Sequence, residues 1–262
     1  MDSGLPGIGD AVVISEKAFN SGEPLAIMCS LIDYLEHLRA ALVRDNEIST
    51  AALEYNAVDF YIANVANGGH AQFEGNAGEV DLAIFGRVGA GLAKIGHPES
   101  LHTWERFMEL HRTRSSRMTA YFASGQSAPH PDDELRALDT LFFSYYGELE
   151  QANADSLLSH PGLVVLDDTE IAQYVDYHRD RLSPTYDERR RLRFEAAPRH
   201  EQAAMAFCET NGLTYRAILG PTSVNDDGRT GTAWMYRLAD HERRVVVMFD
   251  DGTVEHRANI DS

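Results

Sequence analysis

Three observations predict a mainly α protein, a helical bundle domain followed by a small α+β module with a three- or four-stranded antiparallel sheet. Apolar residues recur at spacings of three and four over most of residues 24–182. Helix-breaking groups (Asn67-Gly68-Gly69, Gly96-His97-Pro98, His160-Pro161-Gly162, Ser183-Pro184) fall between the periodic stretches. Beyond residue 212 the pattern changes to short β-rich runs, joined at one point by Asp250-Asp251-Gly252, a strong hairpin signal.

The first helix is expected over residues 24–43, where Leu25, Met28, Leu31, Ile32, Leu35, Leu38 and Leu42 share a face. A second should cover 50–66 with Leu53, Val58, Tyr61, Ile62 and Val65 inward, ended by the two glycines that follow Asn67. A third should begin at Asn76, which has capping-box spacing to Glu79, and carry Val80, Ile84, Val88, Leu92 and Ile95. Its glycines at 86, 89 and 91 predict close approach of another helix. Further helices are expected over 98–122, from Asp132 or Asp133 to about 149, and over 169–182. The tail should hold a helix over 199–210 and strands over 213–219, 232–238, 243–249 and 253–257.

These elements divide the chain into an acidic helical domain over 1–182, a basic linker or helix over 183–198 and an α+β module over 199–262. The net charge of −18 is uneven: residues 1–180 hold 28 acidic against 11 basic side chains, and 181–262 hold 13 against 12. Such a surface repels nucleic acid and lipid headgroups and attracts basic proteins. No apolar run approaches the ~18 residues of a membrane span, and residues 1–10 lack a signal-peptide pattern. Cys29 and Cys208 suggest neither a disulfide framework nor a zinc site. A cytoplasmic protein is the expectation. The run Arg189-Arg190-Arg191-Leu192-Arg193 reads as a solvated helix face or linker, or as a means of docking the tail on the acidic bundle.

The segment Asn67–Glu79 packs four glycines, two asparagines, Gln72 and Phe73 into thirteen residues. Asn67-Gly68-Gly69-His70-Ala71-Gln72-Phe73, then Asn76 and Gly78, then Val88-Gly89-Ala90 resemble a bacterial family catalogued as a domain of unknown function. Its named member is a neisserial DNA-mimic protein. Leu138-Asp139 before Leu141-Phe142-Phe143, and residues 171–178, look like the family's closing helices, so the resemblance covers about 25–180. His70 departs from the pattern, standing where a large aromatic is expected. Membership implies a helical bundle and, for the named member, occupation of the DNA site of a basic DNA-binding protein.

Mimicry needs carboxylates on exposed helix faces, since DNA presents about one phosphate per 1.7 Å of axis. The candidates are Asp33, Glu36, Asp45, Glu47, Glu54, Asp59, Glu79 and Asp81, with the cluster Asp132, Asp133 and Glu134. A second reading is a small-molecule or enzymatic pocket at Asn67, Gly68, Gly69, His70, Gln72, Phe73, Glu74, Asn76 and Gly78. The same residues have a structural role, with glycines capping one helix, Asn76 capping the next and Gln72 satisfying buried backbone groups. A third reading is an immunity or antitoxin-like inhibitor. Glu99 and His102 have the spacing of carboxylate-bridged metal bundles, but no second Glu-x-x-His accompanies them, so no metal or cofactor is expected. No Gly-x-Ser-x-Gly elbow appears. The reading favours a non-enzymatic protein with a basic protein partner.

Overall fold

The computed structural model describes residues 6–80, 83–123, 133–226, 228–238 and 242–258, without the side chains of 78–80 and 113–123. The chain divides into two units, Met1–Arg181 and Leu182–Ser262.

The first unit is helical but for one pair of strands. After β1 (Val12–Ser15) come α1 (Glu16–Ser21), α2 (Pro24–Ala40), α3 (Thr50–Val80), α4 (Ala83–Ile95), α5 (Pro98–Ala123) and α6 (Asp133–Leu158), then β2 (Leu163–Leu166) and α7 (Asp168–Arg179). The two strands pair in parallel, Val12 opposite Leu163, a feature the sequence reading missed. Each is a four-residue run whose partner lies at the other end of the unit, so no local pattern announces the pairing. Ser15 ends β1 and caps α1, its side chain accepting from the Ala18 N–H.

Helix α2 buries Ile27, Met28, Leu31, Tyr34, Leu35 and Leu38, as its three-four spacing dictates. Leu25, expected on that buried face, is 74 % exposed because it stands in the first turn beyond the packed stripe. The glycine expectation holds at Gly91: a Cβ there would come within 2.6 Å of Val58 Cγ2 and 2.9 Å of the Glu54 carbonyl, so α4 packs backbone-close on α3. Helices α3 to α6 enclose an aromatic core of Tyr61, Phe73, Phe85, Trp104, Phe107 and Phe142.

The second unit contains α8 (Tyr186–Ala196), α9 (Arg199–Thr210) and an antiparallel sheet ordered β3 (Tyr215–Asp226), β4 (Arg229–Leu238), β5 (Arg243–Phe249), β6 (Val254–Arg257). Helix α9 packs Ala204 and Cys208 against Tyr236, Leu238 and Val246. The hairpin signal marks the β5–β6 turn, with Gly252 at φ +89°. The basic run lies on α8 and uses its charges inside this unit. Arg189 is buried and donates to the carbonyls of Ser183 and Pro184 at 2.8 Å, while Arg190, Arg191 and Arg193 pair with Glu209, Glu195 and Glu201.

Candidate functional site

The Asn-Gly-Gly segment is a joint of two residues. Gly68 (φ −158°) and Gly69 (φ +77°) break α3, and the helix resumes at once. Residues 70–80 are therefore helical, not the loop expected up to Asn76. Helical spacing explains the difference: His70, Phe73 and Ala77 stand at i, i+3 and i+7 and are all buried. Phe73 is fully enclosed, with the rings of Tyr61, Phe85, Trp104 and Phe107 between 5.2 and 5.8 Å from its own and turned edge-on. Edge-to-face contact of this kind adds about 0.5–1.5 kcal/mol per pair beyond burial.

His70 is the polar element of this core. Its ring has no exposure and stands 5.1 Å from the Phe107 ring. Nδ1 lies 2.6 Å from Asp139 Oδ1, and Nε2 lies 2.9 Å from the Tyr61 hydroxyl. A carboxylate only accepts, so Nδ1–H donates to Asp139, while Nε2 shares a hydrogen bond with the Tyr61 hydroxyl. The same carboxylate oxygen accepts the His70 backbone N–H at 2.9 Å. Asp139, carried by α6, thus caps the resumed half of α3 and orients the histidine. The histidine fits the aromatic position because both ring nitrogens find partners there.

The other segment residues fan out around the helix instead of converging in a cleft. Glu74 is buried against His111, whose ring stacks on Phe85 at 4.8 Å. Burial raises the Glu74 carboxyl and the His111 hydrogen bond opposes that rise. Asn76 is inside the helix, not at its cap, and donates to Asn64 Oδ1 at 2.6 Å. Asn67 and Gly68 are exposed, and Gln72 is half-buried with its amide end beside Gly68. Gly78 belongs to the helix backbone. A larger cleft, about 460 Å³, lies elsewhere, between α1, α2 and α7, and includes Cys29, Asp33 and His37. Burial, Asp59 and Asp33 raise the Cys29 thiol, which disfavours the thiolate a nucleophile would need.

The acidic candidates separate into different environments. Asp33, Asp133 and Glu134 are exposed and Glu36 is half-exposed. Glu54 is a correction: it is buried and paired with Lys94, so it belongs to no outer face. Asp45 is held by Arg87 at 2.8 Å and Arg39 at 3.9 Å. Glu47 accepts from the Arg44 N–H, closing the short helix Asp45–Glu47. Asp81 and Asp132, and the Glu79 side chain, lie outside the described residues. Two carboxylates that sequence reasoning did not select are prominent on α6. Glu134, Glu148 and Asp155 recur at multiples of seven along its exposed side. A heptad advances about 10 Å and returns to nearly the same face, and that period was available as a signal.

Asp59 is set apart by partial burial. Desolvation and the nearby Glu150 push its carboxyl from 3.8 up to about 6. A carboxyl with a raised folded-state pKa contributes stability below its unfolded value and loses it as pH rises through the folded one. Asp59→Asn removes that loss and should make the protein about 1–2 kcal/mol more stable than wild type at pH 7. The advantage should vanish below about pH 4. Melting temperatures of both proteins across this range check it, and parallel curves would refute it.

The first unit is thus an acidic helical domain organised on an Asn-Gly-Gly joint and a buried aromatic core. Residues 46–160 match the family model described as DMP19-like protein. The resemblance carried by the Asn-Gly-Gly segment holds over that stretch, which is narrower than the 25–180 expected. No curated protein and no solved structure matches the chain.

Proposed function

We propose that the first unit binds a basic, DNA-binding protein through carboxylates on its exposed helix faces, taking the place of DNA. The observation that carries the reading is the row Glu134, Glu148 and Asp155 on α6, in a chain whose matched stretch is DMP19-like. Helix α6 has 26 residues, about 39 Å of rigid support for these charges. Asp33 and Glu36 extend the negative field on the same unit, whereas Asp133 is paired with Arg136. A protein that binds DNA gains affinity by displacing condensed counterions, and a fixed carboxylate row offers its lysines and arginines a comparable field. The role is one of binding and exclusion, without catalysis, and it requires neither metal nor cofactor.

The test is capture of partners on the immobilised protein at low and high salt, with duplex DNA as competitor. The expected result is a basic DNA-binding protein that is retained at low salt and displaced by DNA. The triple variant Glu134→Gln, Glu148→Gln, Asp155→Asn should lose about tenfold in affinity at low salt and little at high salt. Retention that neither DNA nor the triple variant affects would overturn the proposal.

A further inference from the structure

A small depression on the first unit combines two carboxylates, an unsatisfied amide oxygen and an apolar rim. It is lined by Pro24, Leu25, Met28, Asp59, Ile62, Glu150 and Asn153. Asn153 is 1 % exposed. Its Nδ2 donates to the Tyr55 carbonyl at 3.3 Å and contacts Met28 Sδ at 3.5 Å. The carbonyl can only accept, which fixes the amide orientation and leaves Oδ1 buried with no partner among the described residues. A buried acceptor without a donor costs about 1–3 kcal/mol, so this oxygen is one that a ligand donor would satisfy. Asp59 and Glu150 add two carboxylates, with Glu150 close enough to help raise the Asp59 carboxyl. The site therefore offers acceptors and negative charge.

We infer that this depression receives a lysine ammonium group from the basic protein partner; the inference rests on the function proposed above. Three features select that group. The space inside is about 10 Å³, enough for one water-sized group. An ammonium matches that size and carries three donors for three acceptor groups, whereas a planar guanidinium is too broad. Leu25, 74 % exposed at the edge, together with Pro24 and Ile62 gives an apolar wall for the four methylenes of the lysine stem. The N-terminus of α2 lies at the same edge and opposes a cation with about half a unit of positive charge, which two carboxylates outweigh.

The experiment is an NMR titration of the full chain with Nα-acetyl-lysine methylamide, following the Asn153 side-chain amide. Parallel titrations use the arginine analogue, potassium chloride and calcium chloride. A saturable shift with the lysine amide is expected, at least about tenfold weaker in Asp59→Asn and Glu150→Gln and absent with the arginine amide. Both variants are near-isosteric, and their melting curves confirm folding. No saturation, or an unchanged response in both variants, would overturn the assignment. Saturation by calcium or potassium with none by the lysine amide would make it a metal-ion site and overturn it equally. If the captured partner binds Asp59→Asn and Glu150→Gln as it binds wild type, the pocket assignment falls while the proposed function stands. If no basic partner is captured at all, the proposed function falls, and the lysine-amide titration still decides the pocket.

Discussion

Gly69→Ala should destabilise the first unit by about 2–4 kcal/mol. Two costs combine at this position. The first is conformational: Gly69 holds φ +77° with ψ −179°, a region essentially confined to glycine, in which an L-residue loses about 1–3 kcal/mol. The second is contact, since an added Cβ would lie 2.6 Å from Asp139 Oδ2 and 2.9 Å from its Cγ. That carboxylate cannot retreat freely, because its other oxygen holds both the backbone N–H and the ring of His70. Gly68→Ala is the internal control. Its φ of −158° lies outside the left-handed region, and the nearest neighbour is the movable end of Gln72. It should cost less than about 1 kcal/mol. Denaturant unfolding of the two variants compares them directly. Equal losses would mean that the joint tolerates a side chain at Gly69 and that Asp139 does not fix it.

That pair of glycines also shows which part of the fold was legible from residues alone. Local signals carried the helices: α2 follows from three-four spacing, and the β5–β6 turn follows from Asp250-Asp251-Gly252. The same periodicity misplaced Leu25, because spacing identifies a face but not where along the helix the packing begins. Composition misled at residues 70–76, where glycines and amides suggested a loop although His70, Phe73 and Ala77 already carried helical spacing. What was not legible depends on residues distant in the chain. The cap of the resumed helix comes from Asp139, 69 residues away from His70. Glu54 was placed on the surface because its partner, Lys94, is 40 residues away on α4. The unsatisfied oxygen of Asn153 exists only because Tyr55 and Met28, 98 and 125 residues away, fix its amide. A sequence shows that a carboxylate or amide is present, and only the fold decides whether it is exposed, paired or left waiting for a donor.

Asp139→Ala is the second large effect, and it separates a structural relay from a passive contact. The substitution takes the shared acceptor away from two donors of His70, the backbone N–H at 2.9 Å and Nδ1–H at 2.6 Å. The ring of His70 is fully buried, so water cannot replace that acceptor without opening the aromatic core. Orphaning buried donors costs about 1–3 kcal/mol for each group, and a total loss of about 2–4 kcal/mol is expected. Asp139→Asn keeps one acceptor oxygen and should lose roughly 1 kcal/mol. His70→Phe places a large aromatic ring at this position and removes the Nε2 partner of the Tyr61 hydroxyl. The two substitutions must not add if the relay is real. In the double variant no ring donor remains to be orphaned, so its loss should fall short of the sum of the single losses by about 1 kcal/mol or more. Denaturant unfolding of the four proteins in the cycle measures that difference directly. Additivity within about 0.5 kcal/mol would mean that the Asp139–His70 contact is incidental to stability. The joint would then be held by the Asp139 cap on the His70 backbone alone.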